Sequence, residues 1–165
     1  MGVTGSIVGR KLNVPVINRG FSGNGKMEPE MSSLFAELDP AIYVLDCLPN
    51  MSSDEVTERV EPFVRVLRKA HPTTPILLVE DRTYAHAFLV PSVDRGNQMR
   101  RAALMEVYKR LSAEGVPNLH YLEGEKLLSA DGEGTVDGSH PTDLGFAHQA
   151  GAFIEVLKPL LANEE

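Results

Sequence analysis

The sequence predicts one α/β domain over residues 1–165, with a parallel β-sheet enclosed between two layers of helices. Two observations predict it: short apolar runs alternate with helix-like stretches along the chain, and those runs are nearly continuous in hydrophobicity. Such alternation is typical of βαβ units, and strands covered on both faces lack regularly spaced polar positions. With 165 residues, 42% of them hydrophobic, the chain is long enough to enclose one core.

Four strands are predicted from the apolar runs, at residues 14–18, 41–48, 75–79 and 118–122. The run at 41–48 is apolar almost throughout and stops at a proline, as expected of a buried strand. The run at 14–18 leads into the glycine-rich stretch 20–25, which predicts a turn there.

Helices are predicted at residues 1–11, 30–38, 52–70, 94–114 and 142–161, with a helical turn at 124–128 and a loop at 129–139. Ser52 and Glu55 have the spacing of a capping box, and the apolar residues after them recur at helical spacing. Gly115 ends the long helix, and Thr142 or Asp143 caps the last one.

Composition narrows the class of function. The net charge of −7 argues against an extended nucleic-acid-binding surface. No run of about 18 apolar residues predicts a membrane span. Cys47 is the only cysteine, which excludes an internal disulfide. The sequence does not begin with a signal peptide, which predicts a cytoplasmic protein. Because we also expect the N-terminus to be truncated, the cellular compartment is not predicted.

The residues with functional chemistry follow the predicted strands, and they are the stretch 20–25, Asn50, Asp81, Arg82, Asp137 and His140. In open parallel sheets, ligands bind beyond the carboxyl ends of the strands. We therefore expect these segments to meet at one edge of the sheet.

The pair Asp137 and His140 is the most informative feature. A carboxylate three residues before a histidine, in a glycine-containing loop at a helix start, can orient the imidazole as a general base. The alternative is a solvated loop, because Asp-Gly is common in turns and the D-x-x-H pattern often arises by chance.

The other candidates also have two interpretations. Gly23 is either part of a tight strand-to-helix connection or a backbone N–H donor for an oxyanion, and Asn50 is either a turn residue or a side-chain donor for the same oxyanion. Asp81 and Arg82 either pair at the surface or line the site. Cys47 is expected to pack in the core of its strand.

Three blocks together resemble the SGNH (GDSL-type) hydrolases. The run Asn-Arg-Gly-Phe-Ser-Gly-Asn-Gly at residues 18–25 resembles the second block of that family, and Leu-Asp-Cys-Leu-Pro-Asn at 45–50 the third. Asp-Gly-Ser-His at 137–140 resembles the last block, and Val-Glu-Asp-Arg at 79–82 is similar to one bacterial branch.

The resemblance implies a three-layer, flavodoxin-like fold and a Ser-His-Asp site without metal or cofactor. His140 would be general base and then acid, Asp137 would orient it, and Gly23 and Asn50 would supply two oxyanion donors. Possible substrate-lining residues are Asn24, Asp81 and Arg82. The implied substrate is a small acyl ester, with acetylated carbohydrates among the candidates.

The sequence departs from the family at the nucleophile. The family carries its serine on a turn after a first strand, and that strand and turn precede every element predicted here. Ser6 lies in a predicted helix, Ser22 lacks the final glycine of a nucleophile elbow, and Ser139 adjoins His140 too closely. We therefore expect an N-terminally truncated domain with an unidentified nucleophile and little or no esterase activity.

Three hypotheses for function follow. The first is an incomplete SGNH-type esterase, the second a non-catalytic module that binds a small ester or sugar, and the third a metal-dependent hydrolase using Asp137, His140 and either His86 or Asp81. Because the family's first strand is central in the sheet, its loss leaves backbone groups unpaired. We expect the gap to be filled by re-pairing of strands, by a homo-oligomer or by a missing N-terminal segment.

Overall fold

A computed structural model of the protein describes residues 2–128 and 131–162, so the predicted loop at 129–139 is described from residue 131. The helices in these ranges are α1 (Gly2–Leu12), α2 (Pro29–Ala36), α3 (Ser53–Ala70), α4 (Pro91–Ala113) and α5 (Asp143–Ala162). The strands are β1 (Tyr43–Leu45), β2 (Ile76–Val79) and β3 (Leu119–Leu122). Short 3-10 turns occur at Leu48–Asn50 and Gly124–Lys126.

The three described strands form one parallel sheet in the order β1-β2-β3. Tyr43 is opposite Ile76 in the first pairing, and Leu78 is opposite Tyr121 in the second. All four residues of β2 are buried, as expected of a central strand covered on both faces. The predicted parallel α/β sheet is therefore confirmed.

The helices lie on both faces of this sheet. Side chains of α2, α3 and α4 pack with Leu45 and Leu78 on one face, while α1 and α5 pack with Leu77 and Val79 on the other. The predicted start of α3 is also confirmed, because Ser52 Oγ accepts the backbone N–H of Glu55 and the Glu55 carboxylate accepts that of Ser52. Two helix layers thus enclose the sheet, as predicted.

The predicted strand at residues 14–18 is wrong. This segment has no strand hydrogen bonding, and Val16 and Ile17 are 46% and 62% exposed. Val14 N–H donates to Gly9 O in the last turns of α1 (3.0 Å). A run of β-forming residues becomes a strand only when a neighbour pairs with its backbone, and no described strand lies beside it.

The second predicted strand is shorter than expected and has an open edge. Residues 41–48 yield only β1, because the chain turns into the 3-10 turn at Leu48–Asn50. Tyr43 N–H donates to Pro75 O (3.0 Å), so Tyr43 and Leu45 direct their backbone groups towards β2. Val44, between them, directs its N–H and C=O away from β2, where the described chain supplies no strand. Among the described strands, the expected re-pairing is not observed.

Across the described ranges, no helix has both the length and the apolar character needed to span a bilayer.

Gly124, just after β3, fixes the spacing between the ends of β2 and β3. A Cβ at this position would lie 1.9 Å from Asp81 O, a backbone atom that cannot move aside cheaply. We expect Gly124→Ala to lower the free energy of unfolding by about 1–3 kcal/mol or more, the usual cost of overpacking. Thermal and denaturant unfolding would measure this.

Gly151→Ala is the matched control, because a Cβ at Gly151 in α5 meets nothing within 4 Å. It should stabilise the protein by about 0.5–1 kcal/mol through helix propensity. Equal effects of the two substitutions would contradict the close packing at Gly124.

Candidate active site

The loop that carries His140 forms a compact hydrogen-bonded turn. Asp137 Oδ1 accepts the backbone N–H groups of Ser139 (3.0 Å) and His140 (2.8 Å), and Asp137 Oδ2 lies 2.7 Å from His140 Nδ1. The bonds from the His140 backbone, the His140 ring and the Ser139 backbone hold the pKa of Asp137 well below its usual range. Asp137 is therefore a carboxylate that orients the histidine ring.

Local sequence explains why the loop takes this shape. Gly138 has φ +88°, and a Cβ there would lie 2.0 Å from the ring of His86, so only glycine fits. Val136 N–H donates to His140 O (2.8 Å), and Thr142 Oγ1 accepts the N–H of Gly145 in the first turn of α5. The loop thus ends directly on a capped helix.

The outer side of the His140 ring is open. The His140 and Asp137 side chains are 77% and 53% exposed. Nδ1 is the ring nitrogen that contacts Asp137, and no described residue bonds to Nε2. Nε2 is therefore accessible to a group that approaches the exposed side of the ring.

Arg82 connects the end of β2 to this loop. Its Nε donates to Ser139 O (2.6 Å) and its Nη2 donates to Ser139 Oγ (3.0 Å). The guanidinium is directed at the loop, and its side chain is only 14% exposed. The alternative of a surface pair with Asp81 is wrong about the surface: Arg82 Nη1 and Asp81 Oδ1 form a long ion pair at 3.9 Å, and both side chains lie below the surface.

Asp81 is fully buried and bonds to Arg100, whose Nε lies 3.1 Å from Asp81 Oδ2. A side chain with no exposed surface has no face to offer a ligand, so the expectation that Asp81 lines the substrate site is corrected. Sequence adjacency to Arg82 concealed this, because the arginine that pairs with Asp81 lies 19 residues away.

The proposed oxyanion donors lie on a second group of segments. Asn50 Nδ2 donates to Gly25 O (3.2 Å), which holds the 20–25 loop against the chain after β1. Gly23 has φ +88°, and its N–H has no hydrogen-bond partner among the described residues. Asn24 N–H donates to Phe21 O (3.1 Å) within the same loop. Whether Gly23, Asn24 and Asn50 contact a ligand stays a prediction.

The two groups of segments share one edge of the sheet. Asn50 follows β1 and Arg82 follows β2, and these neighbouring parallel strands end on the same side. Arg82 brings the His140 loop to that edge through Ser139. The predicted meeting of strand ends therefore holds for these residues.

Asp46 is a residue that the sequence analysis missed. It follows β1 directly and is half-buried, and burial raises its pKa to about 6, while Arg82 opposes and Asp81 reinforces that rise. A perturbed carboxyl at the carboxyl end of a strand is typical of functional sites. The signal was its position in the 45–50 block, immediately after an apolar run.

Cys47 and His86 have side chains of reactive types, and both pack within the fold. Burial raises the pKa of the Cys47 thiol to about 12, which leaves it protonated and unreactive. His86 packs against Gly138 and stacks on Tyr84, with ring centroids 6.0 Å apart. Within residues 2–128 and 131–162, no three His, Cys, Asp or Glu side chains are grouped so as to hold a metal ion.

The chain matches one known protein family over most of its length. The model of the GDSL-like lipase/acylhydrolase family matches residues 2–158. The chain belongs to this family. A GDSL-like family crystal structure from Bacteroides ovatus is 33% identical, with a TM-score of 0.92, over 98% of this chain and 48% of that chain. The comparison with curated proteins gave no match.

More distant structures share the fold. The salicylyl-acyltransferase SsfX3 from a tetracycline biosynthetic pathway is 19% identical with a TM-score of 0.81, over 95% of this chain and 48% of its own. A family 3 carbohydrate esterase from Clostridium thermocellum is 12% identical with a TM-score of 0.64, over 98% of this chain and 87% of its own. The chain thus spans about half the length of the Bacteroides ovatus protein and of the acyltransferase.

The environment of Asp46 predicts a pH-dependent effect of its charge. Because its pKa is raised from 3.8 to about 6, the folded chain keeps a proton that the unfolded chain releases. Asp46 therefore contributes stability that is complete below about pH 4 and lost as the pH rises through 6. Asp46→Asn removes this loss.

The stability of the Asn variant relative to the parent should therefore rise between pH 4 and pH 7, by about 1–3 kcal/mol. Denaturant unfolding of both proteins at the two pH values measures it. A stability difference that is the same at both pH values would show that Asp46 is well solvated.

Proposed function

We propose that this chain forms the histidine–aspartate and oxyanion-binding part of an acyl-ester hydrolase site of the SGNH type. The observation that carries the proposal is the 2.7 Å contact between His140 Nδ1 and Asp137 Oδ2, with the other ring nitrogen open. Membership of the GDSL-like lipase/acylhydrolase family supports the reaction class.

The proposed chemistry is acyl transfer to a serine followed by hydrolysis. His140 Nε2 takes the proton of the attacking hydroxyl and returns it to the leaving alcohol, and then does the same for water and the serine. Asp137 keeps the ring oriented and stabilises the imidazolium. The Gly23 N–H and the second N–H of the Asn50 amide would donate to the oxyanion, as the family resemblance implies.

The described residues supply no serine bonded to His140. Ser22 has φ +46° on the exposed 20–25 loop, Ser139 Oγ accepts from Arg82, and Ser6 is on α1. No hydrogen bond within residues 2–128 and 131–162 joins a serine hydroxyl to the His140 ring. We therefore propose that this chain by itself does not hydrolyse esters.

The proposed substrate is a small acyl ester, with an acetylated carbohydrate as the first candidate. Structures sharing the fold include an acetyl esterase at 13% identity and the Clostridium thermocellum carbohydrate esterase at 12%. These support the fold of an acyl-transfer site, and the choice of acyl group is our proposal.

The second candidate is a non-catalytic module that binds an ester or sugar at the same edge of the sheet. The absence of a serine hydroxyl bonded to His140 in the described ranges favours it. Ligand binding without turnover, unaffected by a chelator, would support this candidate over both an esterase and a metal-dependent hydrolase.

A reaction with fluorophosphonate tests the missing nucleophile. We expect no covalent adduct on the folded chain that depends on His140, because no serine hydroxyl in the described ranges is bonded to the His140 ring. Intact-mass measurement with His140→Ala as control checks this. An adduct lost in that variant would show that one of the chain's own serines is activated.

Fusion to a first strand and serine turn of the kind that the family resemblance implies tests the His–Asp and oxyanion parts. The fusion should hydrolyse 4-nitrophenyl acetate, and Asn50→Ala should lower kcat by about 10²–10³, the usual cost of an oxyanion donor. His140→Ala should abolish turnover. A folded fusion with no activity would favour the binding module.

We further propose that the open edge of β1 binds a strand, from an N-terminal segment or a second copy of the chain. The outward backbone groups of Val44 are paired to no described strand, and unpaired edges favour such addition.

Val44→Pro tests the added strand, because proline removes the one outward N–H of β1 and leaves its bonds to β2 intact. We expect light scattering to show dimers of the parent chain and monomers of the variant. A parent chain that is monomeric at all concentrations would exclude the second copy and leave the N-terminal segment.

A further inference from the structure

A chain of polar contacts joins the interior of the sheet to the His140 ring. Arg82 Nε donates to the carbonyl oxygen of Ser139, and this carbonyl shares its peptide group with the N–H of His140. That N–H donates to Asp137 Oδ1, whose other oxygen faces His140 Nδ1. Guanidinium, peptide, carboxylate and imidazole therefore follow one another in direct contact.

The order of these groups has an electrostatic consequence. A cation on a peptide oxygen draws electron density towards that oxygen and makes the N–H of the same peptide a stronger donor, as in cooperative hydrogen-bond chains. The N–H that gains strength is the one that holds Asp137. Asp137 is thereby held at Oδ1 by the His140 N–H, while its other carboxylate oxygen, Oδ2, contacts His140 Nδ1.

Arg82 itself is held by buried groups. Asp81 Oδ1 is buried without a hydrogen-bond partner, and its nearest recorded cationic atom is Arg82 Nη1, at 3.9 Å. The guanidinium lies 5.5 Å from the ring centroid of Tyr84, and the buried Asn97 side chain donates to Arg82 O (2.9 Å). These contacts surround Arg82 on its interior side, while its donor fork lies on Ser139.

We propose that Arg82 is the positioning residue of the His140 loop, and that its fork on Ser139 fixes the Asp137–His140 pair in its working geometry. This role rests on the proposed function for its catalytic meaning. Arg82 then acts from behind the histidine, whereas the sequence suggested that it lines the substrate site. Arginine is required because a lysine ammonium cannot bond to the carbonyl and the hydroxyl with the same planar fork.

Arg101 provides a closely matched control. Its Nε donates to the backbone oxygen of Asp81 (2.8 Å), and its Nη2 donates to the hydroxyl of Thr83 (2.8 Å). Its side chain is also nearly buried, at 15% exposure. Arg82 and Arg101 thus make the same kind of contact at the same end of β2, and only Arg82 touches the His140 loop.

The test is NMR spectroscopy of the full chain, which needs no substrate and no serine. In Arg82→Lys, we expect exchange of the His140 backbone amide to accelerate by about tenfold or more, since a charge-assisted contact behind it is lost. The ring ¹⁵N signals should shift from the Nδ1–H form towards a mixture of tautomers. In Arg101→Lys, both signals should remain as in the parent.

Ser139→Ala keeps the proposal testable if Arg82→Lys does not fold. It removes the Nη2 contact and keeps the carbonyl, so His140 amide exchange should accelerate by a smaller factor, about twofold to fivefold. Unchanged exchange and tautomer in the folded variants, or equal changes in Arg101→Lys, would overturn the proposal. An inactive serine fusion with the expected NMR changes would instead refute the proposed function and leave the positioning role intact.

Discussion

The burial of β2 between two helix layers is the constraint on which the rest of the molecule depends. Ile76 and Leu78 pack into one core, and Leu77 and Val79 into the other, each at most 1% exposed. A shift of one residue would exchange the two cores, so the register of β2 is fixed. The residues after it inherit that register: Glu80 accepts from Tyr121 Oη, Asp81 pairs with Arg100, and Arg82 reaches Ser139. The position of the His140 loop is therefore set in the core.

Among the described residues, the β1 edge of this sheet has no partner strand, and Nε2 of His140 has no hydrogen-bond partner. β1 is only three residues long, which limits the unpaired backbone it presents. Beyond it, the 20–25 loop and Asn50 form one group of contacts, while Arg82 and the His140 loop form another. No hydrogen bond or ion pair recorded between the described residues joins the two groups directly. We propose that a strand added beside β1 would bring further chain to the edge of the sheet at which both groups lie.

The sequence predicted those features whose causes are local or periodic. Three of four strands, the Ser52–Glu55 cap and the pairing of Asp137 with His140 depend on residues close together in the chain. The strand at 14–18 failed because pairing needs a neighbour, which no propensity supplies. The partners of Asp81 and Arg82 could not be predicted from the sequence either. Ser139, for example, lies 57 residues from Arg82, and only the tertiary fold brings them together. Features that depend on residues close together in the chain could thus be predicted, whereas contacts between distant residues could not.

The locality of the Asp137–His140 pair also limits what the pair alone implies. A four-residue turn with glycine at its centre forms these bonds whether or not a substrate ever binds, and it does so at 77% exposure of the histidine ring. Water at such a surface screens the carboxylate, whereas the same contact in a closed site is several times stronger. What makes an oriented histidine into a general base is therefore the chain or ligand that covers Nε2 and excludes water. On our proposal, Arg82 orders the interior side of that site through its contact with Ser139, and a covering chain or ligand would close the outer side.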